Sequence, residues 1–117
     1  MMKTENLIVD MTFAFSLQII NLYKELCEQK EYVLSKQLLR SATSIGANVE
    51  EAIAGQTKRD FVAKMAIASK EARESRYWLR LLEKSKLVAL DFTEHLAAIE
   101  SIINVLTKIV KTSQSKI

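Results

Sequence analysis

A chain of 117 residues with no proline and only two glycines has little choice of architecture. A β-rich fold of this size reverses direction many times, and its turns draw on glycine and proline. Long helices with few connections need almost neither. The length fits one domain with a real core and leaves no room for a second. Hydrophobic residues at 49% and charged residues at 26% exclude a disordered chain, which has too little apolar surface to offset its conformational entropy.

Apolar positions recur at helical spacing in four segments. The first is predicted over about residues 9–29, with Met11, Phe15, Ile19, Leu22 and Leu26 facing inward. The polar run Cys27 to Glu31 loosens that pattern. The second spans about 33–54 and repeats Leu38, Ala42, Ile45, Val49 and Ala52 on one face. Its middle is small: Ser41, Ala42, Ser44, Gly46 and Ala47. A glycine inside a helix costs about 1 kcal/mol relative to alanine, so a closely approaching neighbour is expected there.

Gly55 reads as a helix stop. Thr57, with Asp60 three residues later, reads as the cap of a third helix over about 58–84. That helix carries Phe61, Met65, Ala68, Ala72 and Leu79 on its main apolar face. Asp91 and Glu94 repeat the capping pattern before a fourth helix over about 92–111, with Leu96, Ile99, Ile103, Leu106 and Val110 inside. Short connections favour an all-α, antiparallel up-down-up-down four-helix bundle as the single domain of residues 1–117.

The third and fourth helices are apolar on more than one face. At roughly 100° per residue, Ala63, Ile67, Trp78 and Leu81 lie off the main stripe, as do Ile102, Val105 and Ile109. A lone bundle turns its outer faces to water and has no need of a second stripe. Ile67, Trp78, Leu81, Ile102, Val105 and Ile109 are therefore expected at an interface between copies, with Trp78 as an anchor, and the alternative is a wide, well-buried face within a single bundle.

Motifs for chemistry are sparse. Cys27 is the only cysteine, which excludes an internal disulfide framework and suggests a reducing compartment. The apolar stretch Phe13 to Leu22 is interrupted by Ser16, Gln18 and Asn21 and is too short to cross a bilayer. It reads as a core helix, and the chain as cytoplasmic with no membrane partner. His95, the only histidine, adjoins Glu94 and lacks the Glu-x-x-His spacing of di-iron bundles. No paired nucleophile and base, phosphate-cradling loop or zinc spacing occurs. Neither enzymatic activity nor a metal or cofactor is expected.

The clearest signal lies on the third helix, where Lys70, Arg73, Arg76, Arg80 and Lys84 step by three or four residues along one side. Arginines on a rigid rail can meet successive phosphates, and each neutralised phosphate releases counterions. The interleaved Glu71, Glu74 and Glu83 leave a solvated charged face as the alternative. Base stacking is not indicated, since only Tyr77 lies near the rail. A second polar set, Asn48 and Glu51 against Lys64, Lys70, Glu71 and Glu74, could fix the register of the two middle helices.

The run Arg40-Ser41-Ala42-Thr43-Ser44-Ile45-Gly46-Ala47-Asn48 with Glu51-Ala52 continues through Asp60-Phe61, Lys64, Ile67, Lys70-Glu71-Ala72, Glu74-Ser75, Tyr77-Trp78-Leu79 and Leu81-Leu82. It resembles the bacterial four-helix bundle proteins first noticed in intervening sequences of 23S ribosomal RNA genes. The match covers most of the chain and is strongest over the second and third helices. Val49-Glu50-Glu51-Ala52 departs from it, since many members show Ile-Ala-Glu-Gly there.

The resemblance implies an up-down bundle assembled as a homopentamer and no established enzymatic activity. A related branch, the accessory variability proteins of diversity-generating retroelements, binds nucleic acid and a reverse transcriptase. Five copies at +3 each would give a ring of about +15, a strong field for RNA or DNA. The expectation is a non-enzymatic oligomer that binds nucleic acid, structured RNA first, through Arg73, Arg76 and Arg80 assisted by Lys70 and Lys84. The alternative is a protein-binding scaffold or accessory subunit without direct nucleic-acid contact.

Overall fold

The computed structural model describes residues 3–115. Four helices, α1 (Lys3–Glu28), α2 (Leu34–Ala54), α3 (Lys58–Ser85) and α4 (Thr93–Gln114), follow one another through short connections. No strand occurs among the described residues. Each helix packs against its neighbours in chain order, and α4 closes the ring onto α1 along the loosest seam. The expected stripes are inside: Phe15, Ile19, Leu22 and Leu26 of α1, and all five of α2, are buried. Met11, Phe61, Leu96 and Val110 are half-buried against that core.

Helix α1 starts well before the expected residue 9 because Ile8, fully buried, extends its stripe by a turn. The Thr12 hydroxyl, also buried, donates to the Ile8 carbonyl at 2.8 Å. At 26 residues and mean hydropathy 1.2, α1 is long and apolar enough by length and composition to cross a membrane, contrary to the expectation from its central stretch alone. Here it packs as a wall of the bundle, with six residues buried.

Polar side chains set the helix ends. At α2 the carboxylate of Glu31 accepts from the backbone N–H groups of Val33, Leu34 and Ser35, so it satisfies donors that have no partner within the helix. Thr57 caps α3 as expected, accepting from the Asp60 N–H at 3.0 Å. Asp91 accepts from both the N–H and the hydroxyl of Thr93, so it closes the turn into α4. The Gln29 side chain bridges the two connections at that end, accepting from the Ala89 N–H at 2.9 Å.

The two glycines do different work. Gly46 faces α1, where an added Cβ would lie 3.5 Å from the Thr12 carbonyl oxygen and 3.6 Å from the Ser16 hydroxyl. The close approach expected there exists, with room for one methyl group. Gly55 ends α2 with extended backbone, φ −63°. Left-handed positions fall instead to Lys30 and Lys86, at φ 64° and 55°. A Cβ at Gly55 would crowd the Ala52 carbonyl at 3.1 Å and the Asp60 Cβ at 3.3 Å. Space is what keeps glycine at 55.

Substituting alanine should therefore act in opposite directions. Gly46→Ala gains helix propensity without a clash and should raise unfolding free energy by roughly 0.5–1 kcal/mol. Gly55→Ala should lower it by a comparable amount, and urea denaturation of the two variants checks both signs.

Candidate nucleic-acid interface

Helix α3 lies between α2 and α4, and its charges divide between those neighbours. The carboxylates of Glu71 and Glu74 turn to α2, where Arg40 engages both, Glu71 at 3.2 Å. One turn further on, the Trp78 indole N–H donates to Glu74 at 3.0 Å. That bond, then the nearby guanidinium of Arg40, holds the Glu74 carboxyl below its usual carboxylate range, against the opposing effect of burial. Lys64 pairs with Glu51 at 2.8 Å across the same seam. Beneath these pairs the hydroxyls of Ser41 and Ser75, both buried, meet at 2.8 Å.

The expected register network between the middle helices is thus present, with two changes. Arg40 is its central cation, in place of Lys70. Asn48 turns back to its own helix, donating to the carbonyl and hydroxyl of Ser44.

The arginines turn the other way. Arg73 donates to the Thr107 hydroxyl at 3.3 Å and Arg76 to Glu100 at 2.6 Å, both on α4. Arg80 follows one turn beyond Arg76 and is exposed. Lys84 is exposed and reaches its neighbour Glu83 only at 3.8 Å. On α4, the exposed Lys111 sits one turn past Thr107 and extends the same edge. Lys70 is exposed on α3's outer side, near enough to help hold Glu74 ionised. Arg73 and Arg76 thus reach α4, Arg80 and Lys84 continue along the same side of α3 at four-residue steps, and Lys70 acts on Glu74 instead. Arg76, salt-bridged, is the least available.

The expected apolar interface changes more. Ile102 and Ile109 are buried in the core, and Val105 packs half-buried against it. The second stripe of α4 is its α1-facing side: a helix with two neighbours buries a wider arc than one stripe covers. Trp78 is half-buried on the core with its N–H occupied by Glu74 and its ring edge-on to Tyr77 at 5.2 Å. Leu81 is half-buried, and Ile67 is exposed.

The large apolar residues left in water are concentrated on α1. Phe13 is 64% exposed and Leu17 51%, with Ile20 on the same side. Their three- and four-residue spacing is readable in the sequence, but the interrupted run Phe13 to Leu22 draws attention to its inward residues instead.

No group of three or more potential metal ligands occurs among the described residues. His95 is half-buried beside Phe92, its Nδ1 without a hydrogen-bond partner. Burial pushes its pKa below the ordinary 6.5, partly offset by Glu25, Glu94 and Asp91.

Residues 4–109 match the family model of the 23S rRNA-intervening sequence protein. The chain belongs to that family. A solved structure of a protein of unknown function from the S23 ribosomal protein family of Bacteroides thetaiotaomicron VPI-5482 is 43% identical. It covers 92% of this chain and 98% of its own, with a TM-score of 0.88. No curated protein matches. The α2 and α3 segments that carry the resemblance are those that hold Arg40, the Ser41–Ser75 contact and the α3 charges.

The lowered pKa values of Glu74 and His95 both mean that the unfolded chain binds more protons than the folded one. Stability should be full above the ordinary histidine value and decline as pH falls through it. It should decline again as pH falls through the carboxylate range. In thermal melts across pH, Glu74→Gln should lower stability near neutrality by up to about 1 kcal/mol and flatten only the acid step.

Proposed function

We propose that this family member is a non-enzymatic, self-assembling helical bundle that binds structured RNA through the α3–α4 edge. The observation that supports it is the division of charge on α3. Glu71 and Glu74 are turned to Arg40 on α2, which leaves Arg73 and Arg76 against α4 and Arg80 and Lys84 exposed further along that side of α3, joined by Lys111 on α4 and countered by Glu100. A rigid two-helix edge of this kind can follow a phosphate backbone without reading bases. The 3.8 Å Lys84–Glu83 contact is too exposed to hold that charge back. The family's own description ties it to 23S rRNA, which favours RNA over DNA as the first ligand to try.

Assembly into a homopentamer is part of the same reading, and exposed Phe13, Leu17 and Ile67 support a partner surface. Five copies would repeat the basic edge around a ring and multiply its field. The kinship to retroelement accessory proteins and a cytoplasmic location, where Cys27 stays reduced, belong to this proposal too. The exposed apolar surface also suits the second reading, a scaffold for a protein partner.

Binding of labelled structured RNA across a salt series tests the proposal. The native chain should show a steep slope of log affinity against log salt. An Arg73, Arg76 and Arg80 to Ala triple variant should reduce that slope by roughly two to three. Equal slopes for the two proteins, or no binding at low salt by an assembled native chain, would overturn the RNA reading and leave the scaffold.

A further inference from the structure

We infer that the outer ridge of α1 docks in the groove between α1 and α4 of a second copy, head to tail. This rests on the self-assembly reading above and names its surface. The ridge carries Phe13, Leu17 and Ile20, exposed by 64%, 51% and 37%. The groove lies on the other flank of α1, at the loosest seam of the bundle. It is a shallow depression of about 520 Å³, open to solvent, with Ala14, Ala98 and Ser101 among its lining residues. Small residues at a seam leave room for large apolar ones from outside.

Charge fixes the orientation. Along α1 the ridge reads Asp10, Leu17, Lys24, at seven-residue steps that keep one helix face. Along α4 the strip that passes through Ser101 reads Glu94, Ser101, Lys108 at the same steps, and of the three only Ser101 lines the groove itself. All six residues are exposed, and none of the four charges has an ion-pair partner among the described residues. Helix α4 runs antiparallel to α1: the start of α1 meets Lys108 and Thr112, while Glu25 near its end acts on His95.

In the direction of α1 this strip therefore reads Lys108, Ser101, Glu94. Each series spans 14 residues, about 21 Å of helix. A second copy laid parallel places its Asp10 at Lys108, its Leu17 at Ser101 and its Lys24 at Glu94. Antiparallel docking would set like charges together. Ridge and groove are different surfaces, so the contact is heterologous and builds rings or open chains rather than two-fold dimers.

The test mixes two variants, each at an exposed position and each checked for native helicity by circular dichroism. Leu17→Glu disables the ridge and keeps the groove; Ser101→Trp fills the groove and keeps the ridge. Light scattering should show the native chain assembled, each variant alone monomeric, and the equimolar mixture a one-to-one dimer that grows no further. An assembled variant, or a mixture that stays monomeric, overturns the inference while the self-assembly reading stands. A monomeric native chain overturns both. As a second arm, Lys24→Glu should raise the concentration for half-dissociation about threefold to fivefold. Adding Glu94→Lys to the same chain should restore it, and failure of that rescue counts against the register.

Discussion

The contact between α2 and α3 is the one on which the remainder depends. Ser41 on one helix meets Ser75 on the other, and Ala42, Ala68 and Ala72 of the two helices are buried with them. Small side chains let the backbones approach, and more of the chain packs across this seam than any other. A buried hydroxyl without a partner costs roughly 1–3 kcal/mol, and the Ser41–Ser75 bond satisfies both. It also fixes register, because a slip of one residue would break it. Arg40 closes over the seam from outside and binds the two carboxylates one turn apart.

That arrangement determines what α3 can offer elsewhere. With Glu71 and Glu74 committed to α2, Arg73 and Arg76 reach across to α4. A helix read as a mixed charged surface becomes two edges of different character, one internally neutralised and one basic. The pairs at the first edge are partly exposed, and each adds modest stability. Their larger effect is on where charge appears. Trp78 belongs to the same set, since its N–H is bound to Glu74.

The opposite side of the molecule is built differently. Helix α1 buries one stripe and leaves Phe13 and Leu17 in water, while its seam with α4 stays open enough to form a groove. A bundle closed by its last and first helices has its weakest packing there, and its exposed apolar surface lies on the adjacent helix.

The chain's poverty in glycine and proline, together with its helical periodicity, determined the class of fold, the number of helices and the buried apolar residues of α2. Those features are local, so sequence carries them directly. The cap at Thr57 was legible for the same reason. Tertiary structure alone decided which side of α3 each charge takes, because that depends on Arg40, 31 residues away from Glu71. It also decided that Ile102 and Ile109 are core: periodicity measures angles around one helix and not how many neighbours enclose it. The basic residues themselves were visible in the sequence; their separation from Glu71 and Glu74 comes from the packing of three helices.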